Sequence, residues 1–509
     1  MTAVAEEPRG SRRRPGNPSH PRDRRSACPR SSSGRFSAWR TARHGTARHA
    51  RGPTARPDDV VRAPMTCRGD GDASRGVRRA APVPERPRRG RDRGEQGTRG
   101  RRQIPRFSTS SEISSLLSAI LAPVTVPQCT LGSYCGALSS LKASELGSVV
   151  IKESLIRAGL KGSDVSEVIM GQILTATEGQ NPARQAAIRA DIPIHVPAYQ
   201  VNMLCGSGLK SVMTGYHAIK TGESEIVVAG GQENMSRAPH ATYLRTGVKF
   251  GSCNLMDTLL DDCLTDAFHK IHMAITAENL AEKYAISREA QDYYASKSQQ
   301  KAEAAIGAGY FDKEIVPVTI AGKKESVVVS KDEFPKFGTT AEKLAKLKPA
   351  FKPNNGTVTA GNASGVNDGA AAVVLMSLET AESKGISPLA SIVAFAQVGV
   401  DPKIMGIGPI EAVKLVLKRA NWTKEEVDIY ELNEAFAAQA IVCVQELGLD
   451  PEKVNVNGGA IALGHPVGMS GTRILVTLLH TLERTGKKKG VASLCIGGGM
   501  GIAIAIERT

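Results

Sequence analysis

No two of the nine cysteines stand in a Cys-x-x-Cys spacing, so the chain has neither the signature of a zinc site nor that of a disulfide framework, and it fits a reducing compartment. Long hydrophobic runs are missing as well. Leu116–Val126 is apolar but short, and Val491–Ile506 is broken by glycines, so neither can span a bilayer. No secretory signal peptide is evident. Aromatic residues make up only 4% of the chain and do not interleave with basic ones, which removes the usual footprint of a nucleic-acid-binding face. The end, Glu507-Arg-Thr509, carries no peroxisomal address.

Lysine is absent from the first 141 residues; the first is Lys142. Residues 1–106 hold 28 Arg and 10 acidic residues, a net of +18, so the rest carries 66 − 28 = 38 basic and 50 − 10 = 40 acidic residues, a net of −2. The whole-chain charge of +16 therefore belongs to one segment. That segment is rich in Arg, Pro, Gly and Ser and lacks an apolar period, so it cannot bury enough surface to offset ordering entropy. The composition predicts a disordered extension over 1–106. An Arg-rich start is also a feature of mitochondrial transit peptides, but Glu6, Glu7, Asp23, Asp58, Asp59, Asp70 and Asp72 interrupt it.

From Leu141 the pattern alternates helices with short apolar strands. Helices are predicted over 143–158, 181–190 and 208–221, and strands over 165–170, 196–201 and 225–229, the last ending at Gly230-Gly231. This is the rhythm of a mixed α/β sheet covered by helices. Residues 235–366 break it with helices (276–284, 288–305) and Lys-rich loops, as an insertion would. It resumes with a strand at 370–376, a helix at 409–420, a strand at 427–432, helices at 435–447 and 470–485, and closing strands at 491–495 and 502–507.

Three reactive side chains sit in glycine-bracketed turns of this framework. Cys205 follows Val201-Asn-Met-Leu and precedes Gly-Ser-Gly, at the mouth of a helix whose free N–H groups and dipole favour a thiolate. His465 stands in Gly464-His-Pro-Val-Gly468, and Cys495 ends an apolar strand before Ile-Gly-Gly-Gly-Met-Gly501. Thiol, imidazole and close backbone approach point to acyl chemistry with a cysteine nucleophile. Cys495 by itself reads as a strand-end core residue, and Asn433 as a helix cap; the glycines at 497–499 leave N–H groups free for an oxyanion. The stretch from Cys205 to Gly231 echoes that from His465 to Gly498, as in a duplicated fold whose site lies where two halves meet. His217, His240 and His269 have no comparable setting.

Seven ordered motifs then resemble one family, the thiolases, from about Leu131 to the C-terminus: Cys205-Gly-Ser-Gly, Gly230-Gly-Gln-Glu-Asn-Met-Ser236, His272-Met-Ala-Ile-Thr-Ala-Glu278, Thr359-Ala-Gly-Asn-Ala-Ser-Gly-Val-Asn-Asp-Gly369, Asn433-Glu-Ala-Phe-Ala437, Gly464-His-Pro-Val-Gly468 and Cys495-Ile-Gly-Gly-Gly499. The resemblance implies two duplicated βαβαβαββ halves in a five-layered αβαβα core with an inserted loop domain. The corresponding domains are 107–234 completed by about 367–387, an insertion at 235–366, and 388–509. It further implies the cytosolic, biosynthetic branch, which joins two acetyl-CoA into acetoacetyl-CoA and CoA. His465 would deprotonate Cys205, Cys205 would carry the acetyl group, and Cys495 would deprotonate the second acetyl-CoA. One oxyanion would rest on His465 and a water on Asn433, the other on the N–H groups of Cys205 and Gly497. Substrate contacts transfer to Leu264, His272, Met273, Lys336, Phe351, Ala360, Ser364, Met405 and Phe436, with His272-Met273 closing a short acyl pocket. No metal or redox cofactor is implied, CoA being part of substrate and product. A cytoplasmic homotetramer is, associating near His240–Lys249, with no membrane or nucleic-acid partner.

The resemblance weakens at one place. Relatives open with a strand reading like Val-Ile-Val-Ser-Ala-Ala-Arg-Thr-Pro, where this chain has Pro123-Val-Thr-Val-Pro-Gln-Cys-Thr130. Two prolines predict a poor central strand, an incomplete sheet and impaired catalysis. The other readings are a degradative thiolase for longer 3-ketoacyl-CoA substrates, a condensing enzyme using an acyl carrier, and a nucleic-acid-binding protein with an inactive thiolase body.

Overall fold

The computed structural model describes the backbone of residues 119–122 and all of 127–509. The Arg-rich segment 1–106 lies outside the described residues.

Nine strands run in one continuous path through a larger sheet: β1 (Ala119–Ala122), β2 (Glu167–Gly171), β3 (Ala198–Val201), β4 (Ile226–Asn234), β5 (Asn367–Ser377), β6 (Ala390–Gly399), β7 (Ile429–Leu432), β8 (Lys489–Ile496) and β9 (Met500–Arg508), in the order β7-β8-β9-β6-β1-β5-β4-β2-β3. Each half pairs parallel strands at its outer end (β2 with β3 and β4; β7 with β8) and antiparallel ones toward the middle. The helices are α1 (Ala143–Ala158), α2 (Pro182–Arg189), α3 (Ser207–Lys220), α4 (Met273–Lys283), α5 (Arg288–Gly307), α6 (Gly408–Ala420), α7 (Ala437–Leu447) and α8 (Ser470–Thr485).

Burial on both faces of each half-sheet explains the layers. Along β4, Val227 and Ala229 join one apolar cluster while Ile226 and Val228 join another; along β5, Val373 and Leu375 oppose Val374 and Met376 in the same way. This is the period of two expected of a strand. The shared inner cluster holds Leu209 and Val212 of α3 and Ile474, Leu475 and Leu478 of α8, so these two helices form the middle layer. Helix α8 is buried from Ser470 through Leu482, as its central place requires. Helix α1 covers the N-terminal half-sheet and α6 covers the C-terminal one. The result is the predicted αβαβα stack.

Two expectations change. Strand β4 does not stop at Gly230-Gly231 but continues to Asn234. The glycines are there for approach, since a Cβ on Gly231 would stand 2.2 Å from the Gly468 carbonyl oxygen. The sheet also is not left incomplete at its start. Strand β1 fills the central place, antiparallel to both β5 (Ala119↔Ser377 through Ala122↔Val374) and β6 (Ile120↔Ser391, Leu121↔Ala390). Pairing with β5 resumes at Gln128↔Ala371, and Ala372 N donates to the Pro127 carbonyl. From Ala122 to Gln128 the chain advances six residues while β5 moves only three, from Val374 to Ala371. This chain thus has three more residues between the two pairings than β5 has, and the ladder is present on either side. Residues 123–126 lie outside the described residues.

Candidate active site

Cys205 stands between β3 and α3 on a sharp elbow. Leu204, just before it, has φ +47°, a left-handed conformation that is unfavourable for leucine and held by its surroundings. The Ser207 hydroxyl secures the turn by accepting from Met203 N and donating to Leu204 O. The elbow lifts the thiol to a cavity of about 170 Å³, also lined by Met235, Cys263, Leu264, His272, Met273, Phe351, Ser364, Met405, Phe436, His465 and Gly497. That volume is below the roughly 300–1,000 Å³ usual for a whole drug-sized ligand, so it accepts only the reacting end of a long substrate.

Burial is the larger influence on the nucleophile. It pushes the Cys205 thiol up to about 11, even though backbone N–H groups of Gly497 and of Cys205 itself are directed at the sulfur and pull the other way. The helix start therefore does not deliver a resting thiolate, contrary to the expectation from sequence. Burial and the Arg473 charge hold His465 down to about 3. The resting pair is a neutral thiol beside a neutral imidazole.

The hydrogen bonds of His465 define its tautomer. Ser470 Oγ donates to the Pro466 carbonyl at 2.8 Å, so toward His465 Nδ1, 2.5 Å away, it acts as acceptor. The proton accordingly sits on Nδ1 and leaves the Nε2 lone pair free. Nε2 lies 3.4 Å from Asn433 Nδ2. The His465 N–H donates to Asn367 Oδ1, and Asn367 Nδ2 donates to Gly132 O, which ties the histidine loop to the N-terminal half. Asn433 does not cap α7: that helix starts at Ala437 with extended Phe436 before it, and Asn433 belongs to the turn leaving β7.

Cys495 is fully buried at the end of β8, in an apolar cluster with Met273, Met405 and Ala435, against which Phe436 packs. Burial and the neighbouring Cys205 keep its thiol well above the ordinary range. His272 caps α4 by accepting from Ala274 N, and its ring stacks on Phe351 at 4.4 Å between centroids. Ser364 N donates to Ala435 O, joining the 360s loop to the Asn433 turn. Lys336 and Ala360 do not border the cavity; both are exposed, and the Lys336 ammonium rests 5.9 Å from the centre of the Phe334 ring. A second cavity of about 430 Å³, on α5 and α7, contains neither cysteine nor histidine.

Several supporting residues escape sequence reasoning. The carboxylate of Glu233 accepts from Ile173 N, Leu174 N and Gly468 N, all at 3.0–3.1 Å, and burial pushes it up to about 8. Glu434 accepts from Tyr294, Ser298, Asn455 and Ile461 N, which fixes the turn that carries Asn433. Arg473 on α8 is fully buried, and its charge lowers Glu314, Asp332 and Glu431 against the larger upward push of their burial. Glu233 and Glu434 were visible only as members of motifs; Arg473 carried no signal at all.

A neutral resting pair has a spectroscopic consequence. The 240 nm thiolate absorbance of Cys205 should be absent through pH 9 and grow only toward pH 11; a titration midpoint below 8 would contradict the arrangement. The same shifts act on stability. Because the folded chain resists protonating His465, stability falls as pH drops from 6.5 toward 3. Because it retains the Cys205 proton, stability also falls as pH rises from 9 through 11.

An α/β stack of duplicated halves that brings a cysteine thiol and a neutral histidine to one small cavity, with a second cysteine enclosed behind it, is the arrangement of an acyl-transferring condensing enzyme. The chain belongs to the thiolase family: residues 124–379 match the thiolase N-terminal domain and residues 386–508 the thiolase C-terminal domain. It is 56% identical over 386 residues to the cytosolic acetyl-CoA acetyltransferase of Mus musculus, covering 76% of this chain and 97% of that protein. It is 57% identical over 387 residues to the acetyl-CoA acetyltransferase of Cupriavidus necator, covering 76% and 98%. Among solved structures, the Bacillus anthracis acetyl-CoA acetyltransferase superposes with a TM-score of 0.76 at 46% identity, over 78% of this chain and all of that one.

Proposed function

We propose that the chain is an acetyl-CoA C-acetyltransferase, joining two acetyl-CoA into acetoacetyl-CoA and CoA and running the reverse thiolysis. The observation that carries this is the convergence, at one short cavity, of the Cys205 thiol, the free Nε2 of His465 and the Gly497 N–H. The Cys205 proton passes to Nε2 as sulfur attacks the thioester carbonyl, so the thiolate exists only while the bond forms. The N–H groups of Cys205 and Gly497 then face the oxygen of the acyl group carried on sulfur. The tetrahedral adduct expels the CoA sulfur, which leaves as CoA-SH with the Cys495 proton. The Cys495 thiolate so formed takes a proton from the methyl group of the second acetyl-CoA, while the Nε2–H of the protonated His465 and a water on Asn433 hold the enolate oxygen. The enolate carbon then attacks the acetyl-Cys205 carbonyl, and the expelled Cys205 sulfur recovers its proton from Nε2, giving acetoacetyl-CoA. Two thiols serve because one holds the acyl group while the other works as base.

The small cavity, walled by His272 and Met273, favours the four-carbon substrate over longer 3-ketoacyl-CoA. A cytoplasmic location follows the mammalian relative's description, and no helix among the described residues is long and apolar enough to cross a membrane. A homotetramer is favoured by the apolar side chains exposed between the paired strands His240–Ala241 and Met256–Asp257, namely Tyr243, Leu244, Val248, Phe250 and Leu255. The test is thiolysis of acetoacetyl-, 3-ketohexanoyl- and 3-ketooctanoyl-CoA by the full-length protein, with its mass in solution from sedimentation. We expect kcat/KM to fall at least tenfold per added two carbons; equal rates along the series would favour the degradative reading.

A further inference from the structure

A second thiol borders the reaction cavity beside Cys205. Cys263 lies in a single widened helical turn, Leu260–Leu264, in which Asp261 and Asp262 face solvent while the consecutive Cys263 and Leu264 both line the cavity. In a regular α-helix neighbours diverge by about 100°; widened turns of this kind concentrate at functional sites. The side chain is buried, with Met235 and Val467 beside it and Ile173, Leu174 and Leu259 in the same cluster, against which Leu204 and Cys205 pack.

Two groups within the apolar lining have no common member. Met235, Cys263 and Val467 stand beside Cys205, whereas Met273, Met405 and Ala435 stand beside Cys495. An acyl group carried on Cys205 sulfur has the first of these next to it, and the acetyl group deprotonated by Cys495 has the second. Resting on the thiolase reading of the site, we propose that Cys263 limits the length of the acyl group that Cys205 accepts, independently of the His272–Met273 side. Cys263 does so as bulk. Burial and the adjacent Cys205 keep its thiol well above the ordinary range, so it packs as a small hydrophobe and does not compete as a nucleophile.

The test is acylation alone, which separates the first half-reaction from condensation: Cys205–SH and acyl-S-CoA give Cys205–S-acyl and free CoA-SH. Full-length wild type, Cys263→Ala, Cys263→Ser and Cys263→Leu are mixed with acetyl-CoA or butyryl-CoA. CoA release is timed, and the acylated cysteine is identified by peptide mass. Removing one methylene-sized obstruction changes discrimination by about tenfold or more, so Cys263→Ala should raise the butyryl-to-acetyl rate ratio about tenfold. Cys263→Leu should lower it by a similar factor, and the near-isosteric Cys263→Ser should keep the wild-type ratio. Ratios within twofold of wild type for both Ala and Leu variants, or an acyl group found on Cys263, overturn the proposal. No acylation of Cys205 by acetyl-CoA in the wild type would instead overturn the thiolase reading on which it rests.

Discussion

Cys205→Ala should reduce acetoacetyl-CoA thiolysis by on the order of 10⁵-fold or more, the usual consequence of removing a covalent nucleophile from an assembled site. Cys495→Ala should behave differently. Loss of a general base costs about 10²–10⁴-fold in the condensation step, but Cys205 should still be acetylated by acetyl-CoA, because the elbow, the Gly497 N–H and His465 stay in place. Mass spectrometry after mixing with acetyl-CoA separates the two variants: no adduct in the first, a stable 42 Da adduct, the mass of one acetyl group, in the second. An unacylated Cys495→Ala enzyme would mean that the roles of the two thiols are exchanged or shared. The geometry opposes this, since Cys205 lies at the cavity and Cys495 is enclosed behind it.

The second large effect concerns Glu233, which touches no reacting atom. Its carboxylate gathers Ile173, Leu174 and Gly468, so it joins the loop leaving β2 to the loop that carries His465. Glu233→Ala would strand three buried N–H groups at about 1–3 kcal/mol each, a loss of about 3–9 kcal/mol against a typical total of about 5–15 kcal/mol. A fall in the thermal midpoint of about 10 °C should follow, with activity lost along with it. Glu233→Gln keeps one acceptor oxygen and should lose about half as much. The pKa of about 8 adds a sign. The folded chain holds this proton more tightly than the unfolded one, so this contribution is complete below pH 4.5 and fades as pH rises through 8. An unchanged melting temperature for Glu233→Ala would show that water replaces the carboxylate.

Much of the architecture was legible because it rests on local patterns. Helix α8 runs over Ser470–Thr485 as the apolar period predicts, and α1 matches residue for residue. Errors fell where tertiary contacts override local signals. Gly230-Gly231 looked like a strand end but is a place where β4 passes another backbone. Asn433 looked like a helix cap but belongs to the turn before one. The prolines at 123 and 127 looked incompatible with a central strand, yet four residues just before them, Ala119–Ala122, occupy that place, and the ladder resumes after them.

The sequence by itself determined the reactive groups and their turns: Cys205, His465 and Cys495 are identified by glycine bracketing, because only small residues let backbone approach a reacting centre. It also set the order of strands and helices, since that follows from hydrophobic period. Only the tertiary structure decided the protonation of the site. Burial is a property of the packed halves, and it outweighs the helix start at Cys205, keeps His465 neutral and fixes its proton on Nδ1 through Ser470. It likewise decided which neighbours wall the cavity, because Cys263, Met235 and Val467 lie far apart in the chain and meet only where the two halves close on each other.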